Sequence, residues 1–172
     1  MANLIEREIT CCFTGHRPNK LPWGKDESDT RCLILKNWLY QVIELAYQDG
    51  YRHFLCGMAL GCDQYFGEEV AFFRESHPDI RLEAAIPCPG QEAHWSPDMR
   101  QRYQKLLSLC DLQTVVQPFY DRGCMLRRDR YMVSRSQRII AVFNGTAGGT
   151  QQPLAYALQE GLEVIRLDPD EL

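Results

Sequence analysis

The sequence predicts an α/β fold: a Rossmann-like, doubly wound, mostly parallel sheet of about six strands with helices on both faces. Three observations predict it. Short segments rich in apolar and β-branched residues alternate with helical patterns from one end of the chain to the other. Glycine-bearing loops follow several of those segments, at Gly15, Gly57 and Gly145. No linker, repeat or low-complexity stretch breaks the alternation, so residues 1–172 read as one domain. Right-handed crossovers then wind the chain to both faces of the sheet.

The elements follow in order. Ile9–Thr14 reads as the first strand, and a Gly/Pro-rich loop runs from Gly15 to Gly24. Asp29–Gln48 carries Leu35, Trp38, Leu39, Val42 and Ala46 on one helical face. Ser28 or Asp29 caps its start and Gly50 ends it. Tyr51–Cys56 is the second strand. Asp63–Ser76 is a helix with Phe66, Val70 and Phe73 inward, stopped at His77-Pro78. Arg81–Ile86 is the third strand, Pro87–Pro97 a long loop and Asp98–Cys110 a helix. Leu112–Val116 is the fourth strand, and a helix runs from about Met125 to Ser136. Ile139–Phe143 is continuously apolar, as expected of a strand buried on both faces. After the loop Asn144–Thr150 come a helix from about Gln152 to Glu160 and the strand Glu163–Leu167.

Composition narrows the function classes. Hydrophobic residues make up 45% and charged residues 24%, values of a globular domain rather than a disordered one. The net charge of -4 argues against a dedicated nucleic-acid binder. No apolar run is long enough for a membrane helix, and Met1–Cys12 does not read as a secretory signal. The eight cysteines form no CxxC pair and the four histidines fall at no ligand spacing with them, so no metal is expected. Reduced thiols in a cytoplasmic protein are the expectation, with the reactivity of Cys11 and Cys56 left open. Arginine outnumbers lysine 15 to 4, which fits bidentate recognition of phosphate or carboxylate, and equally fits base composition.

In a doubly wound sheet, ligands sit beyond the carboxyl ends of the strands, near the switch in strand order. Four segments fall there. Gly15 lets the backbone approach a ligand, with His16 as a titratable ring and Arg17 as a phosphate-seeking fork. Gly57 and Gly61 bracket a loop entering a helix, where Asp63 caps the helix or bonds a ribose hydroxyl. That loop lacks the third glycine of a dinucleotide fingerprint. Gly145, Gly148, Gly149 and Thr150 lie in a loop suited to cradling phosphate, without the lysine of a Walker A motif, and no cofactor is expected. From Arg122 to Arg138 there are six arginines and one aspartate, a local charge of +5, with Arg127 and Arg128 closest to the predicted site. Only Tyr131 is interleaved there, poor support for stacked bases. Trp23 or Trp95 covers a base or packs under its own loop.

Taken together, "CCFTGHRPNKLPWG", "LCGMALGCDQ", "IPCPGQEAHW" and "RRDRYMVSRSQRIIAVFNGTAGGTQQPLAYA" resemble the YpsA-like branch of the SLOG superfamily over nearly the whole chain. That superfamily includes the DNA-processing protein A and the Lonely-Guy phosphoribohydrolases. The resemblance implies a Rossmann-like fold and a pocket for a nucleotide or a nucleotide-derived ligand such as ADP-ribose. Against the arginine-lysine-x-x-methionine stretch of the Lonely-Guy enzymes, Arg128 and Met132 are kept and the lysine is lost. Against their glycine-rich loop, the glycines and threonine survive, but Gln152 or Pro153 replaces the glutamate. Glutamine cannot ionise, so it cannot stabilise a cationic ribosyl centre as a carboxylate does. Gly57, Ala59, Gly61 and Asp63 match the second loop of the DNA-processing proteins.

Three functions compete. The first is cytoplasmic binding of a nucleotide-derived small molecule, as a sensor. Backbone amides at Gly57–Gly61 and Gly145–Thr150 would hold phosphate, with Arg17 and Arg128 neutralising it. The second is a hydrolase of nucleoside phosphates or ADP-ribose derivatives by N-glycosidic cleavage, against which the replaced glutamate counts, with His16, Asp63 and Arg128 as catalytic candidates and Glu68 or Glu92 as further acids. The third is a DNA- or protein-interaction module on the arginine-rich helix. Self-association as a homo-oligomer fits the class, and no residue fixes it.

Overall fold

A computed structural model describes residues 6–172. Residues 1–5, which begin the segment weighed above as a leader, lie outside the described residues. Six strands form one parallel sheet: β1 (Thr10–Gly15), β2 (His53–Cys56), β3 (Arg81–Ile86), β4 (Leu112–Val115), β5 (Arg138–Val142) and β6 (Glu163–Leu167). The strand order is β4-β3-β2-β1-β5-β6, so the direction of winding switches between β1 and β5. Five helices join them: α1 (Thr30–Gln48), α2 (Cys62–Ser76), α3 (Pro97–Leu109), α4 (Cys124–Ser134) and α5 (Gln151–Gln159). The predicted doubly wound α/β architecture is the observed one.

Two apolar clusters fill the two faces of the sheet. One packs α1, α2 and α3 against β1, β2 and β3, and includes Leu35, Leu39, Phe66, Val70, Phe73 and Leu106. The Phe13 and Phe66 rings stack at 4.5 Å, tying β1 to α2. The other packs α4 and α5 against the opposite face, through Leu55, Ala85, Met132, Val133, Ile139, Ala141 and Leu154. β5 is buried along its whole length, as a strand covered on both faces must be.

Boundaries shift where polar chemistry intervenes. β5 begins at Arg138 rather than Ile139. That arginine is buried, but Asp49 and Glu163 pair with it and the Tyr51 ring lies under it. α3 begins at Pro97 because Ser96 caps it, accepting a hydrogen bond from the Met99 N–H, and proline suits the first helical turn. Asp29, not Ser28, caps α1 through the Arg31 N–H. Gly61 occupies the cap position of α2, so Asp63 lies inside the first turn and is not the cap considered above.

A buried polar group also sits under α4. His53 Nε2 lies 2.7 Å from Glu83 Oε2, while Thr114 and Tyr131 hydroxyls donate to Glu83 Oε1. Burial disfavours the Glu83 charge, but these partners outweigh it and hold the carboxyl below its ordinary range.

Phe66 is fully buried against β1 and β2, so Phe66→Ala should lower unfolding stability by about 3–5 kcal/mol, read from urea denaturation.

Candidate functional site

A cavity of about 330 Å³ opens at the carboxyl ends of the strands, beside the β1/β5 switch. This is the size of a small-ligand site, whose usual range is roughly 300–1,000 Å³. β1 and the turn after it contribute Phe13, Thr14, Gly15, His16, Arg17, Asn19 and Lys20. The β2–α2 segment contributes Ala59 and Asp63, and the loop into α5 contributes Gly149 and Thr150. α4 contributes Met125, Arg128, Asp129 and Met132, which share one helical face.

Arg128 organises the floor. It is 6% exposed, and Nη1 donates to the Gly57 carbonyl at 2.8 Å while Nε donates to Asp129 Oδ1 at 2.9 Å. Burial works against its charge, but Asp129 and Asp63 outweigh that and keep it protonated. Gly57 must be glycine for this contact, because a Cβ there would stand 2.5 Å from Arg128 Nη1. Gly61, at φ +87°, seats against the His16 carbonyl and the Pro18 ring, where a Cβ would sit 2.9 Å from each. Between them, Met58 holds φ +59°, a strained backbone for a side chain of its size. The bend brings the Ala59 N–H to 3.0 Å from Asp63 Oδ2.

The electrostatics divide the cavity. Asp63 and Asp129 are 6% and 8% exposed. Burial pushes the Asp63 carboxyl up to about 6, against the pull of Arg128. Burial raises Asp129 as well, again opposed by Arg128. Arg17 is exposed and its side chain makes no hydrogen bond or ion pair with the described residues, yet it lies close enough to act on both carboxyls. Lys20 Nζ bonds Thr146 Oγ1 at 3.3 Å and the Ala147 carbonyl, tying the Gly145–Thr150 loop to the turn after β1. The mouth is therefore cationic, and the floor sets two carboxyls around the Arg128 guanidinium.

His16 has another task. Nε2 lies 2.7 Å from Asn144 Oδ1 and Nδ1 lies 3.2 Å from Thr150 Oγ1. Burial lowers its affinity for a proton below the ordinary histidine value. A neutral ring with both nitrogens engaged positions the loop after β5 against β1.

Of the residues singled out in the sequence, Gly15, His16, Arg17, Asp63, Arg128, Gly149 and Thr150 line the cavity. Gly57, Gly61, Gly145 and Gly148 lie outside its lining: the first two make room for Arg128 and the β1 turn, and Gly148 backs onto Lys20. Arg127 turns away to Asp121 and Gln117. Glu68 pairs with Arg102 and Glu92 neighbours Gln104, so neither acid belongs to this cavity. Trp23 packs into the core and Trp95 against Tyr103, so neither covers a ligand there. Cys11 and Cys56 are buried, and burial raises both thiols well above their ordinary values, which disfavours the thiolate form. Sequence reasoning missed Lys20 and Asp129. Helical spacing carried a signal for the second, since Met125, Arg128, Asp129 and Met132 recur at i, i+3, i+4 and i+7.

The arginine run is mostly engaged within the fold. Arg130 stacks on Tyr156 and Arg135 on Tyr131, while Arg127, Arg128 and Arg138 hold carboxylates. Among the described residues no group of three or more His, Cys, Asp or Glu side chains is arranged to hold a metal ion, and no helix is long and apolar enough to cross a membrane.

Comparison with known proteins agrees with this architecture. The SPbeta prophage-derived protein YoqJ of Bacillus subtilis (strain 168) is 32% identical over 154 residues, covering 80% of this chain and 90% of that one. The UPF0398 protein BH1768 of Halalkalibacterium halodurans is 24% identical over 140 residues, covering 80% and 74%. Among solved structures, DNA processing protein A from Helicobacter pylori, described with a single-stranded DNA binding mode, superposes with a TM-score of 0.64 at 14% identity, covering 99% of this chain and 74% of that one. The structure of TM1055 gives a TM-score of 0.56 at 12% identity, covering 90% and 71%. At such identities the two structures speak for the fold alone. The model of the YspA SLOG family (YpsA) matches residues 11–168, and the chain belongs to that family.

Proposed function

We propose that the cavity binds a phosphorylated, nucleotide-derived small molecule of the ADP-ribose or nucleoside-phosphate class, in a cytoplasmic protein that acts as a sensor. The observation that carries this reading is the polarity of the cavity. Arg17 stands free at a cationic mouth, and buried carboxyls line the floor. A phosphate fits the mouth by charge, and ribose hydroxyls fit the floor as donors to Asp63 and Asp129. Gly149 and Thr150 place loop backbone beside the same space. Eight free cysteines agree with a reducing compartment.

A second reading, single-stranded nucleic acid, has one observation in its favour. Phe119 and Tyr120, before α4, are 78% and 75% exposed, next to Arg122. Exposed aromatics beside arginine suit base stacking. If that surface binds an oligonucleotide, affinity falls steeply with salt and falls again in Tyr120→Ala. Absence of binding at low salt removes it.

A thermal-shift panel with AMP, ADP, ATP, GTP, NAD and ADP-ribose tests the first reading. A ligand at about 100 times its Kd adds about 2.7 kcal/mol. At about 2–4 °C per kcal/mol, the midpoint then rises by roughly 5–11 °C. A flat panel overturns it. Arg17→Ala should abolish most of the shift while leaving the ligand-free midpoint unchanged. Arg128→Ala should instead unfold more easily, by about 3–5 kcal/mol, because Asp129 and the Gly57 carbonyl lose their buried partner.

Asp63 also makes a pH prediction. Its carboxyl is raised to about 6 from 3.8, so the folded state takes up the proton more readily than the unfolded chain. Its contribution is fully present below pH 3.8 and is lost as pH rises through about 6. Asp63→Asn keeps an acceptor for the Ala59 N–H and removes the titration. The variant should therefore gain stability relative to the parent over that window, by up to about 3 kcal/mol in paired urea melts.

A further inference from the structure

We propose that a second cavity, on the far side of the turn after β1, binds a small organic carboxylate through Gln64 and Lys25. This site is separate from the cavity beside the β1/β5 switch and does not depend on what binds there.

The second cavity measures about 130 Å³ and shares no lining residue with the first. The two turns between them divide their residues. Arg17 and Asn19 line the first cavity and Pro18 the second. Ala59 and Asp63 line the first, Leu60 and Gln64 the second. Consecutive helical residues point about 100° apart, so α2 sends its neighbours Asp63 and Gln64 to different spaces. Gly61 lines the second cavity and packs against the His16 carbonyl and the Pro18 ring, which closes the partition.

Two groups in this lining lack partners among the described residues. The Gln64 side chain is 2% exposed, and its Nε2 is buried without a hydrogen bond. A half-turn of the free carboxamide offers that NH₂ to the cavity. Leaving a buried donor unpaired destabilises the fold, and a leucine of similar size would avoid the cost. A ligand that accepts from the amide accounts for glutamine at this position. Lys25 is the other group: it is exposed at the rim, and its ammonium makes no hydrogen bond or ion pair with the described residues.

The other charges at this cavity are already matched. Glu27 accepts from Lys36 and, through both oxygens, from Arg102, whose Nε donates to Glu68. Two cations and two anions balance in that chain, so Lys25 is the unbalanced charge on the wall. An unpaired donor beside an unpaired cation calls for an anionic acceptor, and a carboxylate has an oxygen for each. Pro18, Leu60, Tyr65 and Met99 form the apolar remainder of the wall, which suits a hydrocarbon chain or ring attached to that carboxylate. The volume is well below the roughly 300 Å³ at which drug-sized sites begin, so the ligand carries only a few carbons.

Butyrate and benzoate are titrated into the isotopically labelled full chain and followed by NMR, with butyramide and inorganic phosphate as controls at constant ionic strength. A carboxylate should shift the Gln64 side-chain NH₂ and the Leu60 amide saturably and leave the Gly149 amide of the first cavity in place. Butyramide and phosphate should bind more weakly by roughly tenfold or more. Gln64→Leu should abolish the Leu60 response while melting roughly 2–10 °C higher, because the unpaired donor is gone. Should that variant fail to fold, Lys25→Ala on the surface decides, with affinity for the carboxylate falling roughly two- to fivefold. No saturable shift with either carboxylate overturns the site. A response at Gly149 without one at Gln64 assigns the ligand to the first cavity and overturns the second. Equal binding of butyramide overturns the carboxylate class, and equal binding of phosphate overturns its organic part. Unchanged affinity in a folded Gln64→Leu, or in Lys25→Ala, removes that residue and the site with it.

Discussion

A guanidinium taken out of water needs acceptors, and Arg128 finds them on separate parts of the chain. It bonds the Gly57 carbonyl at the end of β2 and the carboxylate of its own neighbour Asp129. Gln91, from the β3–α3 loop, reaches the same Gly57 carbonyl. One buried cation therefore sets the spacing between α4 and the β2–α2 loop, with a third segment drawn in. Breaking such an interaction by removing one partner is expensive, while forming it adds little net stability. Its value lies in position: the loop is held bent, and the two carboxyls beside it are held largely buried at the cavity wall.

That constraint explains the rest of the floor. Gly57 is small because Arg128 needs the space, and Met58 accepts an unfavourable backbone because the segment must return at once into α2. Asp63 then enters the first helical turn with its carboxyl turned back to its own loop. On the other side of the cavity, His16 performs the matching role, joining β1 to the loop after β5 through Asn144 and Thr150. The two strands at the winding switch are thus linked by side chains as well as by their ladder.

Sequence patterning specified most of the fold because apolar spacing is a direct record of which faces are buried. α1 with Leu35, Leu39, Val42 and Ala46, and the apolar run Ile139–Phe143 that makes up most of β5, are examples. Departures occurred where polar groups pair over long distances. Arg138 opens a central strand because Asp49 and Glu163, far away in the chain, neutralise it. The site shows the same limit. Glycines reveal where backbone must come close, but not what approaches: Gly57 reads as a ligand contact and is filled by an arginine 71 residues later. Lys20 lies in the Cys11–Gly24 segment without a charge pattern to single it out, and Asp129 is easily passed over as the odd acid among arginines. Only folding places them against one cavity, since charge pairing has no period along the chain.

The tie between Lys20 and the Ala147 carbonyl bears on how an anion of the kind proposed would enter the mouth. An approaching anion does not meet a vacant ammonium; it must trade places with a carbonyl already there. Chloride or another weak acceptor gains little from that exchange, whereas a phosphate bonding Lys20 and Arg17 together recovers more than it displaces. For the phosphate ligand proposed above, the occupied lysine would act as a threshold, and a ligand that crossed it would release the loop after β5 from the turn after β1.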